Sequence, residues 1–431
     1  MKNKRFIFAF LAMTGLILSC QKASVVHLEE IKPYLSAKYH ETNLNKQKNQ
    51  LNFWKNKLEN QAENAVYQKK IAVLNTEYFK QSGDISALQF SDSLLLGLLE
   101  RFPQDVGLLH ALTANAISQH AFAAANRYMD KALLLGEERY TSSLMKVDIL
   151  LEKGQLFEAQ TLLNSLGSKA SFDYKIREVK ARDQAGKLDK AINSMEAALV
   201  SAKASALPST INWALSNLGD MYGHQGKIEK AYATYLEALT YDPADLHSLK
   251  GIAWIAFSHD KNPVLSEQIL KYLQSIQPIP EYDLLLSEIA SYQGQLDKAE
   301  AYEQAFIAKA SHMKYGNMYK RVLATLQAPT QSAIALALAT DEITDRPHPL
   351  SYDTKAWALL MKGEKLAALQ LMEENVIGKT EEPIALYHSA LIYKENGKKQ
   401  EAKKLLIEAK AAAFELGPVI SNEIKRQLKV L

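Results

Sequence analysis

Apolar residues recur at three- and four-residue intervals along most of this chain, the spacing of helices that bury one face. Residues 212–245 show it most clearly. Leu218, Gly219 and Tyr222 mark one helix, Gly226 a turn, and Ala231, Tyr235 and Ala238 a second helix that Pro243 ends. The residue types suit those places. Gly226 can take the left-handed backbone of a tight turn. Gly219 and Ala231 are small enough for two helix backbones to approach closely, and Tyr222 and Tyr235 fill the volume beside them. Pro243 lacks an amide hydrogen and stops the helix. A glycine followed five residues later by alanine recurs at Gly154, Gly186, Gly226, Gly294, Gly363 and Gly397, with spacings of 32, 40, 68, 69 and 34.

Two of those spacings are close to twice 34. They predict two disguised units, one around Ile252–Ala256 with a turn near Asp260, the other around Val322–Ala324 with a turn at Ala328-Pro329. The spacing of 40 predicts a loop at Ser201–Thr210. Upstream, Leu109 to Ala132 fits a unit with His120 where glycine is usual, and Ile71 to Pro103 fits one that turns at Gly83. Unit 212–245 resembles the tetratricopeptide repeat throughout its length. The resemblance implies an all-α fold, a right-handed superhelical α-solenoid of about ten such helix-turn-helix repeats from about residue 70 to 416.

Both ends carry other patterns. Lys2, Lys4 and Arg5 precede an uncharged apolar run from Phe6 to Leu18. Thirteen helical residues rise about 20 Å, short of a hydrocarbon core of roughly 30 Å, which describes an export signal. Ile17-Leu18-Ser19-Cys20 resembles a bacterial lipoprotein signal, which implies cleavage before Cys20 and acylation of its thiol and new amine. Gln21, in place of an Asp, points to the outer membrane, and the lack of an acidic tag after it to the periplasmic face. The division expected is 1–19 signal, 20–67 lipidated Cys20 with a tether and an amphipathic helix (Leu51, Trp54, Leu58, Ala62, Val66), 68–416 repeat array, and 417–431 a capping helix that Pro418 begins.

Composition narrows the function. Of 431 residues, 47% are hydrophobic and 51 basic residues balance 48 acidic ones, so bulk charge does not point to nucleic acid. The lone Cys excludes a disulfide framework and a thiolate metal centre. Each Gly-Lys lacks the following Ser or Thr of a phosphate loop, and the His residues are scattered. No cofactor, metal ligand or catalytic residue is expected.

In the resembled family the first helix of each pair lines a concave face. That alignment makes Trp213, Asp220, Lys250, Trp254, Phe257, Asp353, Trp357 and Tyr387 the candidate partner-binding residues. The function expected is a membrane-anchored, non-enzymatic scaffold that binds a protein or peptide in the cell envelope. The alternative is a glycan- or nutrient-binding outer-membrane lipoprotein of the SusD-like class.

Overall fold

The computed structural model of the protein describes residues 24–167 and 169–431. The expected signal and the acylation site Cys20 lie outside them. The described chain is all-α, a helical-repeat solenoid of ten consecutive helix pairs. They run from Ala65–Ser82 with Ile85–Arg101 to Pro383–Glu395 with Lys399–Ala411. Pairs five to seven are Pro208–His224 with Ile228–Tyr241, Leu246–Trp254 with Pro263–Ile276, and Pro280–Tyr292 with Leu296–Ala310. In each, A denotes the first helix and B the second. None of the described helices is long and apolar enough to cross a membrane.

The turn chemistry follows the sequence. Gly226 has φ 77°, and His120 (φ 54°) and Lys261 (φ 55°) adopt the same left-handed backbone at the turns where glycine is replaced. The expected loop at 201–210 is instead helix. Leu188–Ser205 and Pro208–His224 lengthen to absorb the extra residues, leaving two between them. The alanines along Ala191–Ala202 favour that outcome. The expected amphipathic helix ends at Glu59, and Asn64 caps a new one at Ala65 by accepting from the amides of Val66 and Tyr67. Val66, placed by pattern on the buried face, is 70% exposed. The first A helix therefore starts before the 67/68 boundary. Leu51, Trp54 and Leu58 do pack on it, against Ile71 and Leu74.

The solenoid coils back on itself. Side chains from the links between later pairs satisfy helix ends at the turns of pairs 194 to 223 residues earlier. Helix Phe122–Leu135 has no capping side chain of its own. The Asp345 carboxylate supplies one, accepting from the amides of Phe122 (2.9 Å) and Ala123 (2.8 Å). Arg346 donates to the Glu152 carbonyl (2.8 Å) and carboxylate (2.7 Å) at the end of Arg139–Glu152. Gln277 donates to the carbonyls of Lys80 and Gln81 at the end of the first A helix. Ile85 and Leu88 join a core with Phe306, Tyr315 and Tyr319 across the same seam. A-to-B turns of early pairs thus meet B-to-A links of later ones.

Both ends of the described chain also turn inward. Residues 24–35, expected as tether, are docked: Ile31 is wholly buried in the core formed by pairs four to seven. The Asp260 carboxylate accepts from the Ser24 hydroxyl (2.7 Å) and the amides of Val25 (3.0 Å) and Val26 (2.9 Å). The last helical segment, Ala413–Val430, breaks at Gly417 (φ 74°), with Pro418 starting its second part. Ile424 is buried against Leu406 and Ala409 of the last pair.

Two outcomes are expected. Asp345→Ala removes a cap acting across the seam and lowers stability by about 1 kcal/mol in urea unfolding, where an exposed-site control such as Leu134→Ala changes little. Burial alone would raise the Asp260 carboxyl, but bonds from Val26, Ser24, Val25 and His259 hold it below its ordinary value. Its contribution is therefore present above the unfolded-state value and lost as pH falls through the lower folded one. Hydrogen-exchange protection of the Val25 and Val26 amides should vanish in that acid range, and at all pH values in Asp260→Ala.

Candidate partner-binding cleft

Inside the coil lies a cleft of about 530 Å³ between the A helices of pairs five to seven and the returning C-terminal segment. Its apolar wall includes Trp254, Leu270, Leu284, Leu285 and Ile289. Its polar groups include Asp220, His224, His247, Lys250, Glu382 and Glu415. A second hollow, sharing His224, Glu382 and Glu415, continues toward Asp183 and Arg346.

Glycine decides how the cleft is built. The Tyr235 ring lies between Gly219 and Gly251, where added Cβ atoms would fall 2.5 and 2.4 Å from it. From there Tyr235 donates to Asp220 Oδ1 (2.6 Å), while Asp220 Oδ2 meets His247 Nε2 at 2.7 Å. Burial opposes ionisation of both partners, but their mutual hydrogen bond and attraction lower the Asp220 carboxyl and raise the His247 imidazole. Around His224, burial raises the Asp183 and Glu415 carboxyls, and the charge of His224 draws both back. Glu382 and Asp183 add to the rise at Glu415. One end of the cleft is therefore acidic. Among the described residues Lys250 has no ion-pair partner.

The chain's own C-terminal segment forms the opposite wall. The Phe414 carbonyl accepts from Trp254 Nε1 (2.9 Å) and the Ser258 hydroxyl (2.6 Å). Its ring presses on Gly223, where a Cβ would meet it at 2.8 Å. Glu288 lies behind, with Oε1 facing Gly417 and lacking a partner; burial pushes its carboxyl up to about 7.

Of the eight candidate residues, Asp220, Lys250, Trp254 and Phe257 gather at this cleft. Phe257 is only 1% exposed and packs edge-on to Trp254 and Tyr292. Phe257 lies within a wider π-helical turn over Ile255–His259 and packs in the core. Trp213 lies elsewhere, edge-on to Phe172 at the junction of pairs four and five. Asp353 is 2% exposed and bound to His388 Nδ1 at 2.9 Å, and Trp357 stacks on that imidazole. Tyr387 packs against the C-terminal helix, and burial pushes its hydroxyl up to about 12. Asp353 and Trp357 thus join the last two pairs through His388, and the terminal helix covers the face that Tyr387 was expected to present. His224 and Glu415 escaped the pattern analysis, because one ends an A helix and the other reaches the cleft only through the fold. His247 sits on the expected face. Among the described residues no group of three or more His, Cys, Asp or Glu is placed to hold a metal ion.

Residues 214–245, the A and B helices of pair five, match the model of the tetratricopeptide repeat. No curated protein matches the chain. Among solved structures it is similar to a tetratricopeptide repeat protein from Parabacteroides merdae, with 18% identity and a TM-score of 0.34 over 60% of this chain and 97% of the other. It is similar also to yeast Tom70, with 13% identity and a TM-score of 0.35 over 94% and 97% of the two chains.

The Asp220–His247 pair has a measurable signature. In NMR titration the His247 ring should titrate above the ordinary histidine value of about 6.5, and Asp220→Asn should lower it. While Asp220 stays ionised, the stabilising effect of His247 protonation is full below that ordinary value and lost as pH rises through the higher folded one; at the acid end it is lost as pH falls through the lowered Asp220 value.

Proposed function

We propose that this tetratricopeptide repeat protein is a non-enzymatic scaffold, anchored to the periplasmic face of the bacterial outer membrane through Cys20, that holds a partner polypeptide in its interior cleft. The repeats support protein binding as the general class of function. The lipoprotein-like signal supports the anchor and the location. The observation that carries the binding mode is the C-terminal segment. It lies in the coil as a peptide would, with an aromatic ring seated on Gly223 and a carbonyl held by Trp254 and Ser258. Beside it, the remaining cleft offers an apolar wall, the unpaired Lys250 and the acidic group around His224. The partner that fits is an extended segment with an apolar anchor, an acidic group toward Lys250 and a basic side chain toward Asp183, Glu382 and Glu415. The sugar-binding alternative is less well supported, because Trp213, Trp254 and Trp357 spend ring faces or edges on Phe172, Phe257 and His388.

Cross-linking in intact membranes followed by mass spectrometry tests this reading. It should recover a specific envelope partner, and Lys250→Glu should reduce that recovery by about tenfold, the effect of 1.4 kcal/mol. Leu134→Ala, far from the cleft, should leave it unchanged. Recovery of abundant envelope proteins alone, unaltered by Lys250→Glu, overturns it. Trp254→Ala is a poor probe of binding, since it also removes the bond that holds Phe414.

A further inference from the structure

The docked segment 24–35 and the coiling of the solenoid bear on how the protein would sit on a membrane. In the seam described above, the A-to-B turns of early pairs meet the B-to-A links of later ones. Gly154 faces His348 and Pro349, and Gly186 faces Glu381. At Gly226, Gly294 and Gly363, in contrast, a Cβ would meet open space among the described residues. The coil therefore ends on two free edges. One carries the A-to-B turns of pairs five, seven and nine, with the turn of pair six covered by the 24–26 segment; the other is formed by the B-to-A links of the first pairs, near Phe102 and Leu134.

Asp260 belongs to the first of these edges, in the turn of pair six. Its carboxylate, 1% exposed, holds Ser24, Val25 and Val26 there. Tyr232 continues the clamp, accepting from the His27 amide and donating to Glu30. Cys20 is four residues from Ser24, a span of at most about 14 Å when fully extended. On the same edge, Val264, Leu296 and Leu366 stand near the starts of three B helices and are 69%, 68% and 78% exposed. The charge there is mixed, with Lys227, Lys261 and Lys362 among Glu229, Asp297 and Glu364, so the apolar side chains and the short span carry the argument.

Resting on the reading of Cys20 as a lipid anchor, we propose that the Asp260 clamp makes the anchor a rigid mount. It sets the A-to-B edge of pairs five to nine, with Val264, Leu296 and Leu366, against the lipid headgroups. The far edge at Phe102 and Leu134 points away from the bilayer. The axis of the coil then stands across the membrane plane, and a partner reaches the interior from the aqueous side.

The test uses the mature lipidated protein in phosphatidylcholine vesicles carrying a headgroup spin label. Acylation consumes Cys20, so an introduced cysteine is the only thiol. Bimane attached at Val264→Cys, Leu296→Cys or Leu366→Cys should lose most of its fluorescence to the spin label, and at Leu134→Cys or Phe102→Cys little. Asp260→Ala should erase this contrast while the protein still floats with the vesicles. Inserting about eight Gly/Ser residues between Ala23 and Ser24 leaves the clamp and fold intact, lengthens the span, and should erase it too. Equal quenching at both edges, or a contrast that survives the insertion, overturns the mount. A chain that does not float with vesicles overturns the anchor itself, and the mount with it.

Discussion

The molecule depends on one fit: a turn of the solenoid returns the chain to helix ends that need partners. Every helix leaves amides at its start and carbonyls at its end without internal hydrogen bonds. In an open array these groups meet water. Here the start of Phe122–Leu135 meets Asp345, the end of Arg139–Glu152 meets Arg346, and the end of the first A helix meets Gln277. Two of the three side chains are charged, so the bonds are charge-assisted and stronger than neutral ones. They hold the coil closed and turn a quasi-linear stack into a body with long-range contacts.

Closure changes what the repeats can present. The A helices still face inward, but the interior is a confined space that the C-terminal segment enters and partly fills. Trp254 and Ser258 spend their donors on Phe414. What stays open is a cleft with one apolar wall and an uneven charge distribution. Such a site selects by shape and by charge together, since a buried carboxylate favours a cationic partner and a desolvated neutral one gains nothing from it. The Glu288 carboxyl under Gly417, which burial pushes up to about 7, lies where the terminal segment crosses.

The segment that begins at Ser24 is held just as closely. A carboxylate buried at Asp260 is costly unless its lone pairs are used, and Ser24, Val25, Val26 and His259 use them. The segment next to the proposed anchor is thereby part of the folded body.

Much of this was legible in the residues alone. Helix pairs, turn positions and the disguised units follow from local rules: the helical period, the need for a left-handed residue at each turn, and small residues where backbones approach. Even His120 could be placed at its turn, because spacing outweighs residue identity there. The local rules stop at contacts between distant segments. No pattern marks Asp345 as a cap for Phe122, Asp260 as a clamp for Ser24, or Phe414 as a neighbour of Gly223, since each pair is joined only by the pitch of the whole coil. The same limit explains the candidate site. Asp220 and Lys250 follow from helix register, whereas Phe257, in a π-helical turn, is buried in the core and the returning terminal helix covered Tyr387. Sequence determined which faces the helices bury against their neighbours, an interaction of short range. Tertiary structure decided which of the remaining faces stay open, because that depends on where the chain arrives after a full turn.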